Sequence, residues 1–138
     1  MLDALEAAMK IASSGLAAQS ARLRVVTENV ANAESTASVP GGDPYRRKTV
    51  TFASEMDRAS GIALVQLKRI GEDDRPFRTE YHPGHPAADA DGVVKLPNIN
   101  LVVELADMKE ANRSYEAALQ IFRQTRELHA MTIDLLKA

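Results

Sequence analysis

The chain has 138 residues and 15.0 kDa of mass, with 45% hydrophobic residues, 4% aromatics, no Cys and no Trp. Its 17 basic and 19 acidic side chains leave a formal charge of −2, spread as three bases and three acids in residues 1–33, nine and ten in 34–99, and five and six in 100–138. This excludes the one-sided basic stripe that nucleic acid requires, polybasic docking on anionic lipid, disulfides, thiolate metal sites and Cys nucleophiles. With so few rings, the core must be aliphatic.

From the start, Leu2, Leu5, Met9, Ala12, Leu16, Gln19, Leu23, Val26, Val30 and Ala33 recur at alternating spacings of three and four. That heptad seam predicts one helix over 1–33, packed in coiled-coil fashion. Asp3 and Glu6 precede the first Lys, and the charge-free run Ile11 to Ala21 is interrupted by Ser13, Ser14, Gly15, Gln19 and Ser20. Neither a cleaved secretory signal nor a membrane span is expected from such a stretch. The expectation is a cytoplasmic chain or one exported without signal cleavage.

Residues 34–97 hold all six Pro and six of the seven Gly, a composition of turns and short strands. Strands are predicted at Lys48 to Ala53, Ile62 to Ile70, Phe77 to Tyr81 and Val93 to Leu96. The basic run Arg46-Arg47-Lys48 reads as the exposed face of an edge strand.

The last segment, 98–138, predicts a second long helix starting after Pro97. One stripe runs through Leu101, Leu105, Met108, Asn112, Tyr115, Leu119 and Phe122, and a neighbouring one through Ala118, Ile121, Thr125, Leu128, Thr132 and Leu135. Two stripes on one helix mean cover from more than one side. The fold class is therefore α+β, mainly α: long terminal helices paired as a coiled-coil-like rod, with a small β and irregular middle. Apolar stripes left open on such helices are oligomer surfaces.

Catalytic chemistry finds no support. His82 and His85 offer two imidazoles in a turn, short of the ligand set of a catalytic metal, and His129 falls on the helical seam. The pairs Asp73–Asp74 and Asp89–Asp91 read as solvated turn carboxylates, since paired catalytic carboxylates need burial to separate their pKa values. Gly41-Gly42 lacks the Lys-Ser/Thr of a phosphate loop, and no Ser lies in a nucleophile elbow. No enzyme activity and no cofactor are expected.

Two segments are more specific. SGLAAQSARLRVVTENVANAEST, from Ser14 to Thr36, resembles the N-terminal signature of the flagellar basal-body rod and hook family, S-x-L-x-x-Q-x-x-L followed by N-[LIV]-A-N. Its matching positions are Gly15, Leu16, Gln19, Leu23, Asn29, Val30, Ala31 and Asn32. YHPGHPAADADGVVKLPNINLVVELADMKEANRSYEAA, from Tyr81 to Ala118, is similar to the second half of one rod member of that family. There a Pro-Gly-x-Pro-x-Ala-Asp loop, a G-x-V-K-x-P-N strand and an A-x-R-S-Y-x-A helix occur in this order. Val93 and Ala118 depart from the usual Tyr and Asn.

The resemblance implies a structural subunit of the periplasmic rod, exported unfolded without signal cleavage. It implies partners among copies of itself, other rod proteins and the export apparatus, with terminal helices that transmit torque and line the export channel. The expected assembly residues are Leu16, Gln19, Leu23, Val26, Asn29, Val30, Asn32, Met108, Asn112, Arg113, Tyr115, Leu119 and Phe122. Asn29 and Asn32 read equally as C-terminal caps, because Asn tolerates the left-handed conformation, or as register-fixing contacts between subunits. Tyr115 is expected to pack within the helix pair. The alternative reading of the same heptads is a cytoplasmic coiled-coil adaptor, or a chaperone-like protein that holds a partner helix in its groove.

Overall fold

The computed structural model describes all 138 residues. In chain order it contains α1 (Leu2–Ala31), β1 (Lys48–Asp57), β2 (Ile62–Glu72), β3 (Arg78–Tyr81), β4 (Val93–Leu96) and α2 (Leu101–Lys137). The two helices, of 30 and 37 residues, account for nearly half the chain, so the class is α+β with helix dominant. No helix is long and apolar enough to cross a membrane. The chain forms two compact units. The first comprises Met1–Leu23, Thr51–Arg69 and Lys109–Ala138, and the second Arg24–Val50 and Ile70–Met108.

In the first unit the two helical segments run antiparallel. His129 faces Glu6 at 3.9 Å, and the position of a Gly15 side chain lies 3.8 Å from the Ala118 methyl. The residues buried here are small: Ala12, Ala18 and Ala111, with Thr125. Alanine lets two backbones approach closely and costs no side-chain entropy on burial. Thr125 keeps its hydroxyl satisfied by donating to the Ile121 carbonyl at 2.8 Å. The four residues between β1 and β2 make a tight turn, and so short a link forces the strands antiparallel. Asp57 closes that turn, accepting from the Ala59 amide at 3.2 Å and from the Ser60 hydroxyl. β1 runs four residues beyond the alternation of apolar residues, through exposed Ser54, Glu55 and Met56 to the turn, and β2 runs two beyond it at the opposite end, through Gly71 and Glu72.

The second unit holds the β3–β4 hairpin, antiparallel with Arg78 opposite Leu96 and Tyr81 opposite Val93. Its apolar centre is Ala87, Ala88 and Val94, with Ala37 packed against them. Helix α2 begins at Leu101, later than the Pro97-Asn98 pair suggests. Asn100 caps it, its side-chain oxygen accepting from the Val102 and Val103 amides at 3.1 and 3.4 Å, which answers two of the orphan donors at a helix start.

Two turn glycines with positive φ make a controlled comparison. Gly61 (φ 68°) has open space where a Cβ would stand, whereas at Gly92 (φ 78°) it would meet the Pro83 Cβ at 2.9 Å and the Tyr81 ring at 3.0 Å. Gly61→Ala should cost about 1 kcal/mol, the backbone penalty alone. Gly92→Ala should cost about 1–3 kcal/mol more, from overpacking. Urea denaturation of the two variants measures the difference; equal losses would contradict the close packing of this turn.

Candidate assembly surface

In the second unit the last turns of α1 present Asn29, only 1% exposed. Its carboxamide oxygen accepts from the Lys48 amide at 2.9 Å and from the Tyr45 hydroxyl at 3.0 Å. Its NH2 group donates to the Lys48 carbonyl at 2.9 Å and to Glu104 Oε2 at 3.1 Å. Two acceptor sites and two donors exhaust an Asn side chain. Asn29 thus pairs with the β1 backbone as a neighbouring strand would, and simultaneously holds α2.

Glu104 is fully buried. Its other oxygen receives the Arg47 Nε, and the Arg47 guanidinium also reaches Asp73 at 3.4 Å. Asn98 extends the network: its oxygen accepts from the Arg47 amide at 2.9 Å, and its NH2 donates to the Asp73 and Arg75 carbonyls at 3.0 and 2.9 Å. Arg46 donates to the same two carbonyls and stacks over Phe77 at 4.2 Å. Arg75 folds back on Asp73 at 2.6 Å, and its hydrogen bonds hold the Asp73 carboxyl well below the usual carboxylate range. On the surface of the same unit, Lys48 pairs with Glu28 at 2.6 Å, which lowers the Glu28 pKa and raises that of Lys48.

Several expectations change. The basic run at 46–48 is not a solvated strand face, because Arg46 and Arg47 are turned into this network. Asp73 is not a free turn carboxylate. Asn29 lies inside α1 rather than at its end, and its side chain makes four hydrogen bonds within the chain. Asn32 does sit at the helix end, but no residue other than Gly has positive φ. Its side chain instead donates back to the Glu28 carbonyl at 2.8 Å, and its own carbonyl receives Ser35.

The helical seam shifts too. A covered seam of α2 runs through Glu104, Met108, Ala111, Tyr115, Ala118, Phe122, Thr125, His129 and Thr132, spaced alternately by four and three, with Asp107, Ser114, Leu119 and Ile133 half-buried along its sides. This seam takes Met108, Tyr115 and Phe122 from one anticipated stripe and Ala118, Thr125 and Thr132 from the other. Leu101, Leu105 and Asn112 face solvent, as does Arg113. Of the remaining anticipated residues, Val26 is buried, and Leu16, Gln19, Leu23, Val30 and Leu119 are half-buried. Gln19 keeps one feature unexplained by the fold: its Oε1 is buried without a hydrogen-bond donor.

Among the charged and polar residues that α2 leaves outside runs one apolar stripe. Ile121, Leu128 and Leu135 repeat every seven residues with Met131 between them, and all four are more than half exposed. Nearer its start, Val102 is 76% exposed. Sequence reasoning missed Glu104 and Arg47. The available signal was a lone acid inside the run Leu101-Val102-Val103-Glu104-Leu105, where the Glu turns inward. At His82 and His85, the rings stand edge to face at 5.7 Å and the His85 Nδ1 accepts from the Ala87 amide.

The second unit thus holds a polar network satisfied within the chain, and the first unit an apolar stripe without cover. Residues 9–37 match the family described as flagella basal body rod protein, and residues 90–135 match the C-terminal family of the flagellar basal body rod FlgEFG proteins. Flagellar basal-body rod protein FlgC of Agrobacterium fabrum is 62% identical over 99% of both chains. The chain belongs to the FlgC family of flagellar basal-body rod proteins. FlgC of Salmonella typhimurium is 41% identical over 91% of this chain and 92% of its own. FlgC of Bacillus subtilis is 32% identical over 94% and 96%. The family motifs sit on the network: Asn29 opens N-V-A-N and Asn98 closes K-L-P-N.

Two outcomes follow. Glu104→Ala leaves Arg47 and Asn29 facing a buried void and should cost about 3–5 kcal/mol, more than Asn29→Ala at about 2–3 kcal/mol. Urea denaturation measures both, and a loss below about 1 kcal/mol for either contradicts the network. The pH dependence has a fixed sign. A carboxyl whose folded pKa is depressed contributes stability above its unfolded value near 4, and that contribution is lost as the pH falls. Stability should therefore decline from about pH 4 downward, and Asp73→Asn should show a shallower decline from a lower plateau.

Proposed function

We propose that this chain is a structural subunit of the flagellar basal-body rod that assembles with copies of itself and with other rod proteins. On this reading it reaches the periplasm without signal cleavage, through the export apparatus, and polymerises through its terminal helices. The rod so formed carries torque and lines the export channel. The division of the chain follows that work, with residues 1–33 and 98–138 as helical assembly segments and 34–97 as the connecting β segment. Leu16, Leu23, Val30, Leu119 and Phe122, half-buried, are covered further when neighbours are present, and Gln19 and Arg113 face those neighbours as polar contacts.

The observation that carries the proposal is the Ile121–Leu128–Met131–Leu135 stripe on a chain similar to FlgC proteins along its whole length. Fully covering one such side chain is worth on the order of 1.5–3 kcal/mol, so four together supply a substantial association energy. Torque is borne well by long helical seams, because load divides among many small dispersion contacts.

Leu128→Asp combined with Leu135→Asp should leave the isolated chain within about 0.5 kcal/mol of its normal stability, as exposed substitutions do. The same variant should be absent from purified basal bodies and should fail to restore swimming to cells lacking the chain. Swimming at the normal rate with both substitutions in place would contradict the proposal.

A further inference from the structure

A second unpartnered apolar feature lies in the first unit, and nothing above uses it. Ser14, Ala17, Ala18 and Ala21 on α1 and Val65, Gln66 and Leu67 on β2 line an open groove of about 410 Å³. Its wall is fixed where the Ser14 hydroxyl accepts from the Val65 amide at 3.3 Å while donating to the Ile11 carbonyl. Its floor is nearly all methyl groups, a surface on which the ridge of another helix can seat closely. Val65 and Leu67 remain about 40% exposed along its side.

We infer that this groove receives the Ile121–Leu128–Met131–Leu135 stripe of a second copy of the chain. Charge points to that occupant. Directly beyond Leu67, β2 carries Lys68 and Arg69, both exposed. Glu127 and Asp134, also exposed, each precede a stripe leucine and lie seven residues apart, hence on one face of α2, where Arg123 one turn before Glu127 leaves the flank net acidic. A basic rim beside an apolar groove therefore meets an acidic rim beside an apolar ridge, which sets register and orientation. Groove and ridge are different surfaces of one chain, so the contact is heterologous. Repeated from copy to copy, such a contact builds a ring where its rotation closes and an open helical series where it does not, and a rod requires the second. The inference rests on the rod-subunit reading and names the surfaces by which successive copies join.

The absence of native Cys makes the test direct. Two single variants, Leu67→Cys and Leu128→Cys, are expressed together in cells lacking the native chain, and basal bodies are purified and oxidised. Because each copy carries one thiol, a crosslink of twice the chain mass can only join two copies. The expected result is that crosslink in mixed basal bodies, at least about tenfold above its level when Leu67→Cys is paired with Val39→Cys and when either Leu67→Cys or Leu128→Cys is present alone. Incorporation of both variants without the crosslink overturns the inference and leaves the rod reading standing, assigning the groove to a different rod protein. Absence of the unsubstituted chain from basal bodies overturns the rod reading itself. A second measurement guards against misfolding. Lys68→Glu with Arg69→Glu should reduce incorporation at least fivefold, and adding Glu127→Lys with Asp134→Lys should restore it. Failure of that restoration also counts against the pairing.

Discussion

The structure depends on one buried contact, the Glu104 carboxylate held between Arg47 and Asn29. A carboxylate taken fully out of water is tolerated only when partners answer its oxygens, and here both oxygens are engaged. Because Asn29 pairs with both Glu104 and the Lys48 backbone, the end of α1, the entry to β1 and the start of α2 must meet at a single register. A shift of one residue on α2 would turn the carboxylate by about 100° and break every bond in the set. Asn98 and Asp73 secure the same junction from the segments that precede α2 and follow β2.

That contact also determines what the chain exposes. With Glu104 facing inward, Val102 lies about 160° round the helix and must face outward, which matches its exposure. Farther along α2, the covered seam alternates the small residues Ala111, Ala118, Thr125 and Thr132 with Met108, Tyr115, Phe122 and His129. Ile121, Leu128, Met131 and Leu135 stay outside. Polar atoms thus hold the chain's own register while much of its bulky apolar surface is kept for neighbours. Such a division suits a subunit whose folding and assembly are coupled by mass action.

Helix content, the strand positions and the rod-family resemblance were all legible in the sequence, because heptad spacing and turn residues act locally. The α1 seam was legible for the same reason. The α2 seam was legible only in part: Met108, Tyr115 and Phe122 lie on it as anticipated, but Ile121, Leu128 and Leu135 are left exposed, so periodicity of hydrophobic residues marked the outer ridge as readily as the packed face. The role of Asn29 was hidden because its partners Lys48 and Glu104 are 19 and 75 residues distant. Arg47 was misread as a strand-face charge since its partner Glu104 sits 57 residues on. Pairings over such separations leave no local signature beyond an isolated charge in an apolar run.

The central claim is that the polar network around Glu104 is spent within the chain, whereas the outer apolar stripe of α2 is offered to neighbours. Met131 lies on that stripe and is 56% exposed, whereas Met108 lies on the covered seam. Oxidation of an exposed thioether by peroxide follows its access to solvent, so the rate at Met131 can be compared between free chain and intact basal bodies. The account predicts that Met131 oxidises faster than Met108 in the free chain and that assembly suppresses its rate at least about tenfold. A Met131 rate unchanged by assembly would contradict it.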